Sequence, residues 1–345
     1  MFSEFDMLND KLISASSNTY PYRAILETLL TYGPAAKGSQ LTSALFYKDE
    51  AGKMNSVDPK AADANSGLKR RYDMTKGSRV VDLLGPIHGD IFFQDRYLLN
   101  GVSLKMKFHR SKNSFCLLTP TPDNNYKVKI VDAALYVRKV AVISSQVALS
   151  CAKMLQTTTA KYPLRRVEVK TFSIPRGNQS FTRENLLLGQ IPRRVVIGMV
   201  DNTAFNGDYG ENPFNFKHNE LNFLGLYVDN EQTPWRPIQP KFIGKNRSTA
   251  LAYQTLFSGI NTLYQDVGNQ IDREEYDKGY SLFAFDLSPD LSCGTHFNLI
   301  KRSNLRLELQ FGVALATTVN VIVYSEFESI LEVDGSRNIL IDYSN

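Results

Sequence analysis

Four histidines, His88, His109, His218 and His296, and three cysteines, Cys116, Cys151 and Cys293, are the first places to look for chemistry. None stands at the spacing that a zinc or other metal site needs and no CxxC pair occurs, so the sequence predicts free thiols and no metal or other cofactor. Gly207-Asp-Tyr-Gly210 lacks the GK[ST] that a phosphate loop requires, and its surroundings read as a long polar loop. There is no GxSxG elbow and no Cys/His pair with a nucleophile signature. Glu274-Glu275 could supply half of a glycosidase pair, but acids on the solvated face of a short helix explain it more simply. The sequence gives no reason to expect an enzyme.

Binding chemistry is better represented. From Lys153 through Arg194 there are nine Lys and Arg residues against Glu168 and Glu184, interleaved with Tyr162, Phe172 and Phe181. Nucleic-acid grooves have this composition, which marks Arg165, Arg166, Arg193 and Arg194 as a candidate basic patch. The same arginines flank strand candidates, so a sheet-edge or subunit-interface role competes with phosphate binding. Trp235, the single tryptophan, sits in a loop between Pro234 and Arg236-Pro237. It reads either as a local packing anchor or as an interface hot spot.

The elements that carry these residues are mostly strands. Val102, Leu104, Met106 and Phe108 alternate with Ser103, Lys105, Lys107 and His109, and Leu305, Leu307, Leu309 and Phe311 alternate with Arg306, Glu308 and Gln310. Period two places each apolar set on one face of a strand. A second strand is expected after each, Tyr126 to Val140 and Val319 to Val333, so the two regions read as equivalent parts of an internal twofold repeat. Further strands are predicted at Phe2 to Met7 before a turn at Asn9-Asp10, Val167 to Ile174, Arg194 to Val200, Leu221 to Val228 and Tyr280 to Asp286. Helices are short: Tyr20 to Leu30 capped by Asn18 or Thr19, one starting at Ser144-Ser145, and a turn with the capping-box pair Asp272 and Glu275. Long polar stretches at Tyr47 to Gly67, Asp201 to Lys217 and Asp229 to Thr249 read as insertions projecting from the ends of sandwiches.

Composition agrees with a folded all-β assembly. The 345 residues are 43% hydrophobic and 11% aromatic, which excludes a disordered chain, a collagenous repeat or a disulfide-stapled miniprotein. No apolar run approaches the roughly 20 residues of a spanning helix. The start, Met1-Phe-Ser-Glu-Phe-Asp, carries acids and no basic region followed by an apolar one, so secretion is not expected. The net charge of +5 is uneven: residues 1–194 hold 29 basic against 16 acidic residues, and residues 195–345 hold 11 against 19. That polarity suits two solvated surfaces, a face toward a polyanion, or pairing between copies.

Beyond these readings, the chain resembles a known family. Gly279-Tyr-Ser-Leu-Phe-Ala-Phe-Asp-Leu-Ser-Pro-Asp290, Gly294-Thr-His-Phe-Asn298 and Val319-Asn-Val-Ile-Val-Tyr-Ser-Glu-Phe327 resemble the closing sandwich of double-jelly-roll major capsid proteins. Asn18-Thr-Tyr-Pro-Tyr-Arg23, Ser39-Gln-Leu-Thr-Ser-Ala-Leu45, Phe92-Phe-Gln94, Leu98-Leu-Asn-Gly101 and Asn212-Pro-Phe-Asn-Phe-Lys-His218 are similar to the hexon-type capsid proteins of Polinton (Maverick) elements and adintoviruses. The resemblance implies an all-β fold of two consecutive jelly-roll sandwiches with short helices, residues 1–160 and 161–345, the first lacking its N-terminal strands. It also implies a homotrimer of pseudo-hexagonal outline that tiles an icosahedral shell. The partners would be further copies, a penton-type minor capsid protein and, through non-specific contact, double-stranded DNA. Phe205 and Tyr209 in one long loop, with Trp235 and Arg236 in another, become candidate inter-subunit contacts. The location would be the virion, or the cell interior for an endogenous, non-assembling copy. The rivals are a carbohydrate-binding or glycan-cleaving jelly roll, a single-sandwich penton-like protein, and a domesticated transposon-derived protein with an interaction role.

Overall fold

The computed structural model describes residues 2–14, 18–122, 126–187, 189–266, 268–289 and 298–341. Gly294 to Phe297 of the resemblance motif, with Cys293 and His296, lie outside the described residues.

Alternation sets the first sheet. In β10 (Leu305–Phe311) Leu305, Leu307, Leu309 and Phe311 are buried, while Arg306, Glu308 and Gln310 between them are not. It lies between β5 (Ser180–Leu187) and β7 (Leu221–Val228), with β8 (Glu231–Gln232) beyond β7, all antiparallel. The link from β7 to β8 is the two-residue turn Asp229-Asn230, both at positive φ (50° and 69°), as tight hairpins require.

The second sheet is organised by β11 (Val319–Val333). One edge of β11 pairs along its full length with β4 (Ala160–Ile174). Its other edge pairs with β6 (Arg194–Asp201) and then with β12 (Ile339–Ile341), and β9 (Leu282–Asp286) lies beyond β6. The two sheets share one apolar core with α1 (Tyr20–Thr31) and α7 (Ala250–Ser258), which contribute Tyr22, Leu26, Leu29, Ala252 and Leu256. Each fully buried Leu or Phe there is worth about 1.5–3 kcal/mol. Gly198 of β6 marks a close approach: a Cβ at that position would stand 2.7 Å from both Leu282 Cδ2 and Phe216 Cδ1. Gly198→Ala is therefore expected to cost about 1–3 kcal/mol of stability by urea unfolding.

A third, three-stranded sheet, β2 (Lys11–Ser14), β1 (Phe2–Leu8) and β3 (Leu104–Arg110), turns at Asn9-Asp10 as expected. Leu8 and Ile13 join Ile91, Tyr162, Leu164, Leu331, Val333 and Ile339 in a second apolar cluster. The long strands β4 and β11 thus reach both clusters. The remaining helices are α2 (Pro34–Gly38), α3 (Ser66–Thr75), α4 (Asn113–Cys116), α5 (Ser145–Thr157) and α6 (Asn202–Asn206). No described helix is long and apolar enough to cross a membrane.

Three expectations need correction. Tyr126 to Val140 forms no strand, so the first copy of the strand–loop–strand repeat is not completed. The alternation is present, but a strand exists only where a neighbour takes up its backbone hydrogen bonds. Thr19 stands at the N-cap position of α1, yet its hydroxyl donates to the carbonyl of Val169 in β4 (3.2 Å) and makes no cap bond. The stretch Tyr47 to Gly67 does not simply project: Asn65 caps α3 by accepting from Gly67 N, and Asp49 and Asn55 accept from Asn212 of the 201–217 loop.

Candidate assembly surface

The four arginines singled out by sequence converge on one sheet, but so do acids 130 to 170 residues further along the chain. Register puts Arg165 opposite Glu328, Arg166 opposite Phe327, Lys161 opposite Glu332 and Arg194 opposite Glu326. Glu326 draws Arg194 Nη1 to 3.2 Å and Arg165 Nε to 3.7 Å, and Glu328 draws the buried Arg193 Nη1 to 3.5 Å. The guanidinium of Arg166 lies 4.2 Å from the centre of the Phe327 ring, a cation–π contact, and Lys161 pairs with Glu332. The basic stretch and part of the acidic half therefore neutralise each other within one molecule. Opposite charges facing each other across strands support the register of β4 on β11.

The candidate contact residues separate into two groups. Phe205, half-buried in α6, stacks on Tyr22 of α1 with ring centres 5.5 Å apart, and Phe115 and Phe214 meet the same tyrosine edge-on. Burial without a hydrogen-bond partner pushes the Tyr22 hydroxyl far above the usual phenol range. Tyr209 donates its hydroxyl to the carbonyl of Tyr126 (2.9 Å), and its own carbonyl accepts from Thr119 N (3.0 Å), so it fastens both residues to the 201–217 loop. Trp235 and Arg236 are open beyond β8, the tryptophan 77% exposed, with the Arg236 guanidinium 4.5 Å from its ring centre.

Sequence reasoning missed a buried ionic cluster that seats α1 on the second sheet. Arg23 Nε meets Glu27 at 2.9 Å, and Arg23 Nη1 meets Asp90 at 2.8 Å. Glu27 also contacts His88 Nδ1 at 2.5 Å and the Tyr324 hydroxyl of β11 at 3.4 Å, and Asp90 accepts from Val167 N of β4 at 3.2 Å. Burial alone would raise the Glu27 pKa, but the His88 hydrogen bond and the Arg23 charge overcome it and hold Glu27 below its usual range. For Asp90 burial wins, and its pKa is raised despite Arg23. The i,i+4 spacing of Arg23 and Glu27 was a legible signal; Asp90 and His88 come from a distant loop and were not.

The residues weighed for catalysis are tied into structure. Glu275 accepts from Lys48 and returns a capping bond to Asp272 N (3.2 Å), while Asp272 accepts from Glu275 N (2.8 Å), the reciprocal box its spacing suggested. Among the described residues no three His, Cys, Asp or Glu side chains group to hold a metal, and Cys116 and Cys151 are free thiols.

No protein-family model matches the chain. It is 26% identical over 340 residues to an uncharacterized protein of Caenorhabditis elegans, covering 97% of this chain and 78% of that protein. Among solved structures, a chain of the Sputnik virophage cryo-EM structure matches over 99% of this chain and 74% of its own, with a TM-score of 0.57 at 10% identity. A chain of the PBCV-1 virus capsid quasi-atomic model aligns over 100% of this chain and 84% of its own, but at a TM-score of 0.40, too low to argue from. With two antiparallel sheets packed over one core, the whole-chain likeness to the virophage protein shows an all-β fold of the double-jelly-roll type.

Proposed function

We propose that this chain is a structural virion protein, a major capsid subunit of the double-jelly-roll type. The observation that carries the reading is the whole-chain likeness to a chain of the Sputnik virophage particle. The finer assignment, a Polinton- or adintovirus-type subunit with a sandwich on either side of Lys161 that forms pseudo-hexagonal trimers, rests on the motifs spread from Asn18 to Phe327. Its partners would be its own copies and a penton-type protein, its location the virion and its role structural. Because Arg193 and Arg194 are held by Glu328 and Glu326, contact with DNA would fall to exposed bases such as Lys129, Arg138 and Lys139. DNA retention should then decline steeply with salt; a flat response removes that contact.

Electron microscopy combined with mass measurement tests the main reading. Particles of three copies with a hexagonal outline are expected, and a persistent monomer across the concentration range would refute the trimer. Within this scheme Trp235 is the contact to remove. Trp235→Ala should leave unfolding within about 0.5 kcal/mol of the parent, since the ring is exposed. It should weaken self-association at least about tenfold by sedimentation if the ring anchors a neighbour.

A further inference from the structure

One end of the first sheet opens into a cleft of about 520 Å³, within the roughly 300–1,000 Å³ of small-molecule sites. Phe311 and Leu221 pair at the ends of β10 and β7, so the segments 313–316 and 215–220 leave the sheet side by side and form one wall. The stretch 52–55 and the turn 277–279 form the other. The walls and their parts are tied by Gly52 N, which donates to the carbonyl of Lys278 (2.7 Å), and by Phe216 N, which donates to that of Gly279 (2.9 Å). Gly279 has a φ of 117°, and a Cβ there would stand 2.5 Å from Met54 Sδ and 2.9 Å from Asn215 Oδ1. Only glycine lets the backbone approach those side chains so closely.

The lining carries hydrogen-bonding groups that the fold does not use. Asn55 Oδ1 accepts from Asn212 N and from Asn215 Nδ2, both at 3.1 Å, which leaves Asn55 Nδ2 as a donor and Asn215 Oδ1 as an acceptor without partners among the described residues. His218 Nδ1 accepts from Glu220 N (2.9 Å), so its ring proton sits on Nε2, and the ring is fixed by stacking on Phe242 with centres 4.3 Å apart. Burial holds the His218 pKa below its usual value, so at neutral pH the ring is uncharged and Nε2 offers one donor. Charge is balanced. Lys217 pairs with Asp201 and Asp277 with Arg247, while the other two charged side chains of the lining, Glu220 and Lys278, have opposite signs. Met54 and Leu315 are buried apolar parts of the lining, and Ile243 and Val313 form an exposed apolar rim.

Donors and acceptors set among apolar side chains, with no net charge, suit a ligand whose hydroxyls both donate and accept and whose C–H faces are apolar. A polyanion would find no surplus of cations here. A peptide would need a strand edge for its backbone, and the lining is made of turns and loops. We propose that this cleft binds a neutral sugar residue, whose hydroxyls meet Asn55 Nδ2, Asn215 Oδ1 and His218 Nε2 and whose C–H face lies against Val313 and Ile243. The proposal goes beyond the capsid reading and does not rest on it, because sugar binding is measured on the chain whatever its assembly state.

The test uses the full chain in saturation-transfer NMR with the methyl glycosides of glucose, galactose, mannose and N-acetylglucosamine, alongside an array of neutral, sialylated and sulfated glycans. Binding of at least one neutral glycoside or neutral glycan is expected; a glycoside response marks a site for a single ring, and an array response alone marks one for a longer chain. Ala314→Trp, at an exposed position of the rim, should fill the cleft and abolish binding while leaving the urea midpoint in place. Asn215→Ala should weaken binding about tenfold, the effect of one lost hydrogen bond. The proposal is overturned if no neutral sugar binds, if only charged glycans bind, or if binding survives both substitutions unchanged.

Discussion

Replacing Arg23 by Met is expected to lower the unfolding free energy by about 3–5 kcal/mol, because it strands the buried Asp90 and the half-buried Glu27 without their shared cation. Arg23 and Asp90 are 6% and 3% exposed, so water cannot take the place of the lost guanidinium. Burial works against the Arg23 charge, yet Asp90 and Glu27 more than offset it and its pKa is raised. Arg23→Lys should recover little, since one ammonium cannot reproduce the fork that reaches Glu27 from Nε and Asp90 from Nη1. The triple change Arg23→Met, Glu27→Gln, Asp90→Asn should recover most of the loss, and urea unfolding of the set measures it. The two acids respond to pH with opposite signs. The Glu27 pKa is lowered in the fold, so its contribution is present above its ordinary value of 4.5 and disappears as pH falls through the folded pKa. The Asp90 pKa is raised, so protonation on the way down relieves its burial. Acid unfolding of the parent should therefore be shallower than Glu27 alone would make it, and Asp90→Asn should steepen it.

The second large effect is a pH dependence on the alkaline side. Lys37 is buried, and its Nζ donates to the carbonyls of Leu29 (2.7 Å) and Asn269 (2.6 Å). A neutral amine has two N–H groups, and two acceptors satisfy it. Burial, helped by the nearby positive charge of Lys48, pulls the Lys37 pKa down from 10.5 to about 7. Between those values the unfolded chain binds a proton that the folded chain does not, so stability rises as pH climbs through the window. The full span is on the order of 3–5 kcal/mol. Urea unfolding of the parent and of Lys37→Met at pH values across that window isolates the residue. The parent should gain on the variant with rising pH, and a constant difference would show that the folded amine stays charged.

Much of the β architecture was legible because burial wrote it into the sequence. In β10 one face packs on the core, and period two follows directly; β11 opens on the mostly apolar stretch Val319 to Tyr324, buried on both faces because the strand is central in its sheet. β5 was not legible: Ser180-Phe-Thr-Arg-Glu-Asn buries none of those side chains, and it is held as a strand mainly through its backbone on β10. The reverse holds for 126–140, where the pattern is present and the partner strand is not. Arg165, Arg193 and Arg194 of the basic stretch lie close together at one sheet. Their neutralisation was hidden, because Glu326 and Glu328 lie far along the chain and meet Arg165, Arg193 and Arg194 only through strand register. Of the four candidate contact residues, composition could not tell the inward-stacked Phe205 from the open Trp235.

The unbroken ladder of β4 on β11 has a mechanical consequence. Fifteen paired residues make a spar about 50 Å long, with the main core at one end and the Leu8–Ile13 cluster at the other. Tension along it loads the rungs in shear, and separating either cluster from its neighbour strand means opening part of the ladder. The two clusters are thus joined by one continuous ladder, and unfolding followed separately at each is expected to give coincident transitions.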